Sequence, residues 1–275
     1  MTSFGENSGV VKRMVPMRLP ELSDLCQRSQ TALRTMEYAY AHTPPSADAR
    51  ILEWLQSDPA NTENYGCLTR ANLVHELSEY AMQRQSSRIY EKRSLREREI
   101  LAGLSVDPRV LLASGPDGFT TLLCTLNGAG GGDSTIRNHM VNNGEDLAHC
   151  RAVYPSFELI HAQMAQIHQF LARYLDAQPA FAAIVAYASI SNLHPFVDGN
   201  GRVARMLYNS LIRSVFPQAF YFPIYEVSAL SRMGMIIRLR QADYQASWLP
   251  LISLFSNVVW EFSGRITERP TYLIQ

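Results

Sequence analysis

The stretch FAAIVAYASISNLH, Phe181 to His194, runs directly into PFVDGNGRVAR, Pro195 to Arg205. Its first part is apolar on every side, with Pro179 just ahead of it. A helix with no polar face belongs in the centre of a helical fold. A tight Asp198-Gly199-Asn200-Gly201 loop follows, and a second helix is predicted from Gly199 to Ser214. Working outward, Phe157, Ile160, Met164, Ile167, Leu171 and Tyr174 recur every three or four residues, an amphipathic stripe. Apolar positions between Pro20 and Ala41, between Asp48 and Ser57, and between Arg238 and Glu261 keep helical spacing. Leu68 to Leu104 reads as mainly helical with charged outer faces. Between Val106 and Tyr154, prolines and the run Gly128-Ala-Gly-Gly-Gly132 read as a flexible connector, and Thr135–Val141 as a short extended piece or hairpin. The first fifteen residues read as a loose tail. The expected fold is all-α with at most one small β-hairpin.

Bulk properties mainly exclude. The 275 residues carry 25 basic and 25 acidic side chains. No basic field is available to hold nucleic acid or an anionic membrane surface. No apolar run is long enough for a bilayer, and the opening residues lack a secretory h-region. Cys26, Cys67, Cys124 and Cys150 are far apart and form no Cys-x-x-Cys pair, so reduced, mostly buried thiols are expected. Only Lys12 and Lys92 are lysines, and no P-loop lysine motif occurs. Phosphate handling would therefore rest on arginine and backbone N–H groups.

The 194–205 segment supplies such groups. The N-terminus of the second helix offers unsatisfied N–H groups and a partial positive charge. Gly199 and Gly201 let the backbone approach an anion closely. Arg202 and Arg205, three apart, project from one helix face. Asp198 suits Mg²⁺, which prefers one or two carboxylates plus substrate phosphates. His194 is able to accept a proton near neutral pH. Singly, these residues pass for a helix-end histidine, a turn and a solvated arginine pair. Together within twelve residues they describe a nucleotide phosphotransfer site. His161 and His168, seven apart, read as structural or surface residues.

His194-Pro-Phe-Val-Asp198-Gly-Asn200-Gly-Arg202-Val-Ala-Arg205 resembles, without gaps, the signature of the Fic family, His-Pro-Phe-x-Asp/Glu-Gly-Asn-Gly-Arg-x-x-Arg. The resemblance covers roughly residues 100–260. It implies an all-α Fic-fold helical bundle with a small β-hairpin flap beside the active site. The implied organisation is an N-terminal helical extension over 1–99, a Fic core over 100–260 and a C-terminal tail over 261–275. The implied activity is protein adenylylation: AMP passes from ATP to a Tyr, Thr or Ser hydroxyl of a target protein, and pyrophosphate leaves. His194 would be the base and Asp198 would hold Mg²⁺. Gly199, Asn200 and Gly201 would cradle the phosphates, the asparagine through its side chain. Arg202 would bind the β-phosphate and Arg205 the γ-phosphate, with Phe196 an inward anchor. Ile136, Arg137 and Val141 resemble the target-docking flap.

Family members with an inhibitory helix carry Ser/Thr-x-x-x-Glu. Ser87 and Glu91 fit that spacing within about 80–95, implying a Glu91–Arg205 pair over the γ-phosphate position, although Lys92 stands where a small residue is usual. Arg202 favours nucleotidyl transfer over the phosphate transfer of the Doc branch, whose pattern has lysine nearby. Transfer of UMP or phosphocholine, removal of AMP with Glu91 orienting water, and a silent binding module are the alternatives. The implied partner is a target protein, with a homodimer left open and neither nucleic acid nor membrane expected. A cytoplasmic bacterial protein is expected, with secretion as an effector left open.

Overall fold

The computed structural model describes residues 11–56, 92–142, 151–231 and 234–264. Ser87, Glu91, Cys67, Cys150 and the helical reading of Leu68 to Glu91 lie outside them. In chain order the elements are β1 (Val11–Arg13), α1 (Gln27–Ala41), α2 (Ser46–Gln56), α3 (Arg93–Gly103), α4 (Pro108–Ala113), α5 (Pro116–Ala129) and β2 (Arg151–Val153), then α6 (Ile160–Tyr174), α7 (Pro179–Leu193), α8 (Asn200–Val215), α9 (Ile224–Leu230), α10 (Gly234–Gln245) and α11 (Leu249–Phe262).

Helix α7 is the apolar segment, and it is buried along its whole length except at Ser191. Helices α6 and α8 flank it, while α1 and α10 close further sides. Pro179 starts α7 at a position whose missing N–H costs nothing. The next free N–H, that of Ala180, donates to Glu37 Oε1 of α1 at 3.1 Å. Burial pushes the Glu37 carboxyl up to about 7. Helix α8 buries Val203, Ala204, Leu207, Leu211 and Ile212 on one side, the spacing expected of a core-facing stripe. Helix α11 lies along α1, and its Ser256 hydroxyl donates to Ala32 O at 2.9 Å.

The strand pairing differs from the expected hairpin. β1 pairs with β2 in parallel, Val11 opposite Arg151 and Arg13 opposite Val153, and Met14 N–H donates to Val153 O at 2.8 Å. Among the described residues the hairpin is represented by one antiparallel bridge, Asn142 to Val153. The segment expected to be a loose tail is thus ordered from Val11. Its Met14 and Met17 are buried, the latter accepting a hydrogen bond from Ser189 of α7. Apolar side chains hold it where polar composition suggested freedom. The thiols also depart from expectation: Cys26 is exposed and Cys124 half-buried. His168 is structural, its Nε2 bonded to Leu112 O at 2.8 Å. No helix among the described residues is long and apolar enough to cross a membrane.

Tyr40 of α1 and Tyr208 of α8 are fully buried, and their hydroxyls meet at 3.0 Å. Deleting one hydroxyl orphans the other in an apolar setting, at a cost of about 1–3 kcal/mol. Chemical denaturation should show Tyr40→Phe and Tyr208→Phe each destabilising, with the double variant losing clearly less than the sum.

Candidate functional site

Helix α7 ends because His194 leaves helical geometry. The residue sits in the left-handed region at φ 51°, where a non-glycine residue is uncommon, and its N–H still bonds Ile190 O. From there the loop turns inward at Phe196, which is fully buried. Asn200 locks the turn: its Oδ1 accepts Phe196 N–H and its Nδ2 donates to Phe196 O, both at 2.8 Å. The Asn200 side chain was expected to cradle phosphates. Instead it is buried and spent on the loop, so its contribution to an anion site is its backbone.

The reverse side of the loop is held by Asn127 near the end of α5. Its Nδ2 donates to Asp198 O at 3.2 Å and to Asp133 O at 2.7 Å. The glycine run read as a flexible connector proves to be the packed end of α5. Gly132 N–H bonds Asn127 O, and Gly131 N–H bonds Gly128 O, each at 2.9 Å. A Cβ on Gly132 would press on the Asn127 amide, and one on Gly130 would strike the Arg202 guanidinium. These glycines are small because a side-chain amide and an arginine lie against them.

Around the loop opens a cavity of about 660 Å³, lined by His194, Asp198 to Arg202, Arg205, Val141 and Tyr154, and on the opposite wall by Arg93, Arg96 and Glu97 of α3. That size suits a small-molecule ligand. Gly199 precedes α8 at φ 89°, so the first-turn N–H groups of α8 border the cavity. Four guanidinium groups face two carboxylates across it, an electropositive balance suited to a polyanion. Arg202 borders the cavity, while its Nε is buried against Gly130 without a partner among the described residues. Asp198 is exposed at the cavity wall. Among the described residues no three His, Cys, Asp or Glu side chains gather. An exposed carboxylate beside a cavity is the kind of oxygen donor that a hard divalent ion accepts when its remaining ligands come from elsewhere.

His194 is half-buried, with Nδ1 2.9 Å from Ser191 O. A carbonyl only accepts, so the proton sits on Nδ1 and Nε2 is left as the acceptor. The Tyr154 ring lies flat on the imidazole, centroids 3.4 Å apart and planes 10° from parallel. Burial pulls the imidazole down to about 4. The Ser191 carbonyl opposes that, Arg137 and Arg240 reinforce it, and Asp198 opposes it weakly. At neutral pH the ring is uncharged and able to take a proton.

Arg205 is already partnered. Its Nε and Nη2 donate to Glu97 of α3 at 3.1 and 2.5 Å, and Tyr221 OH adds a bond to Glu97 at 3.2 Å. Both side chains are nearly inaccessible. The carboxylate on Arg205, expected to be Glu91, is Glu97 among the described residues. Nothing local singles Glu97 out, since α3 carries both Glu97 and Glu99 among its arginines. Of the flap candidates, Val141 borders the cavity and Ile136 packs partly against the core. Arg137 is buried rather than displayed: its Nε donates to His194 O at 2.6 Å, Nη1 to His139 O at 2.8 Å and Nη2 to Pro155 O at 2.6 Å. Sequence reasoning missed Glu97, Asn127 and Tyr154 as site residues.

The Fic/DOC family model matches residues 126–212. A crystal structure of a Fic family protein from Desulfovibrio desulfuricans G20 superposes with a TM-score of 0.57 at 16% identity, covering 87% of this chain and 74% of that one. No curated protein matches the chain in sequence.

Gly199 is the backbone position on which this geometry turns. A Cβ there would meet a disfavoured φ and overlap the Asn127 amide oxygen. Gly199→Ala should cost about 1–3 kcal/mol of stability in denaturant titration.

Proposed function

We propose, from the premise that the chain belongs to the Fic/DOC family through residues 126–212, that it is a protein adenylyltransferase. The single observation that carries the proposal is a neutral imidazole, His194, beside an arginine-lined helix N-terminus in one cavity. Nε2 of His194 takes the proton from a target Tyr, Thr or Ser hydroxyl. The oxygen then bonds the α-phosphorus of ATP, the bond from that phosphorus to the bridging oxygen breaks, and pyrophosphate leaves. First-turn amides of α8 and the Arg202 guanidinium hold the phosphates and meet the charge that grows on the leaving group. Asp198 would hold Mg²⁺, which when bound neutralises phosphate charge. Tyr154 keeps the imidazole flat, and the Ser191 carbonyl keeps its proton on Nδ1.

The Glu97–Arg205 pair supports built-in restraint, carried by Glu97 rather than Glu91. With Arg205 taken, the position for a terminal phosphate lacks its guanidinium. Transfer then depends on the pair opening, an equilibrium that a target or nucleotide would bias.

Incubation with α-labelled ATP, UTP or CDP-choline, with and without cell lysate, tests the reaction. AMP incorporation that His194→Ala lowers by about 10²–10⁴-fold is expected. Label from UTP or CDP-choline in place of ATP would replace the proposal with that transfer. The neutral imidazole is the reactive form, so the rate should hold steady from pH 8 to about 5 and fall as pH drops toward the His194 value near 4. Glu97→Gln should raise AMP incorporation several-fold while lowering stability by about 1–3 kcal/mol. Unchanged labelling would remove the restraint.

A further inference from the structure

Arg137 is 3% exposed. Among the described residues no carboxylate pairs with it. A buried guanidinium survives only where other groups replace its water. Here backbone carbonyls do so, from three separate segments. Nε donates to His194 O at 2.6 Å, Nη2 to Leu193 O at 3.3 Å and Pro155 O at 2.6 Å, and Nη1 to His139 O at 2.8 Å. Its own N–H donates to Pro195 O at 2.9 Å. Two of the acceptors lie at the C-terminal end of α7, where carbonyls lack helical partners and carry partial negative charge. A glycine usually ends a helix in the left-handed conformation. In this chain His194 does so at φ 51°, and the bond to its own carbonyl fixes the adjoining peptide.

We propose that Arg137 is the positioning residue of the base. Its guanidinium, caged by the carbonyls of Leu193, His194, His139 and Pro155, holds His194 in the left-handed backbone that presents its imidazole to the cavity. The inference rests on reading His194 as the base. Only a planar fork reaches carbonyls on several segments at once, and a lysine ammonium lacks that shape. The cage also ties the Tyr154–Pro155 strand end to the loop, so the ring stacked on His194 and the ring itself are referenced to one group. Electrostatically, Arg137 adds a positive charge near His194. The other groups acting on it are Arg240 of α10, itself paired with Asp243 at 3.6 Å, Asp198, and Tyr154 stacked on the ring. Of these, Arg137 and Arg240 work against protonation and Asp198 favours it.

The test uses the full chain as Arg137→Lys and Arg137→Gln. One arm follows the His194 imidazole by NMR, assigned through His194→Ala, and needs no activity. The other arm measures AMP transfer and nucleotide KM. Arg137→Lys keeps the charge and loses the fork. Its His194 titration should stay near that of the wild type, its nucleotide KM within about twofold, and its kcat fall about 10–100-fold. Arg137→Gln loses both, so the His194 midpoint should also rise toward the unperturbed value of about 6.5. Full kcat in Arg137→Lys, or an unmoved His194 titration in folded Arg137→Gln, overturns the proposal. So does a parallel rise in KM, the mark of a general structural defect. Should Arg137→Gln fail to fold, the kcat and KM of Arg137→Lys decide alone. If neither the wild type nor Glu97→Gln transfers AMP, the reading of His194 as base fails, while the NMR arm still decides whether Arg137 governs that imidazole.

Discussion

Helix α7 has no side that tolerates water, and the rest of the structure follows from that constraint. Fourteen of its fifteen residues are buried, so neighbouring helices must surround it and its two ends are the only places where polar chemistry is admitted. At the first end stands Glu37, and at the second the carbonyls gathered by Arg137. His194 is the first residue past the apolar run. It inherits both a rigid platform and a dry surrounding, and the dryness is what keeps its imidazole uncharged.

The loop after α7 is built by asparagines rather than by its charged residues. Asn200 closes the turn on Phe196, and Asn127 reaches across from α5 to the Asp198 carbonyl. With the backbone fixed by amides, Asp198 and Arg202 stand at the cavity wall. Arg205 is the exception, because α3 brings Glu97 against it and Tyr221 supports the carboxylate from behind. The same helix is anchored independently: Glu226 accepts Ser94 N–H at 3.1 Å, and Arg98 pairs with Asp48. The hold on Arg205 is therefore part of the docking of a whole helix, and releasing it involves more than one side-chain rotation.

Much of this was legible in the residues. The apolar run from Phe181 announced the central helix, the spacing from Phe157 to Tyr174 gave its neighbour, and the clustering of His194, Asp198, Arg202 and Arg205 located the cavity. What escaped were long-range pairings. Glu97 is one of two glutamates on a charged helix, and only tertiary packing selects it for Arg205. Arg137 looked like a surface residue of a flap, since nothing local shows that five backbone groups converge on its position. The glycine run read as slack partly for the same reason: the Arg202 guanidinium against Gly130 comes from α8, while the neighbouring Asn127 amide crowds Gly132 only because the chain folds back at the end of α5. The strand at Val11 was hidden because its partner, Arg151–Val153, lies some 140 residues away.

The two charged ends of α7 have a consequence for natural variation. A fifteen-residue helix is about 22 Å long, and this one is a strut pinned at its far end by a glutamate of α1 and at its near end by an arginine. Both pins act on buried backbone groups, Glu37 on the Ala180 N–H and Arg137 on the carbonyls of Leu193 and His194. A change at Glu37, remote from the cavity and invisible to any inspection of the motif, leaves the Ala180 N–H buried without its acceptor, at a cost of about 1–3 kcal/mol. Sequence variants in this chain are better sorted by their connection to α7 than by their distance from His194.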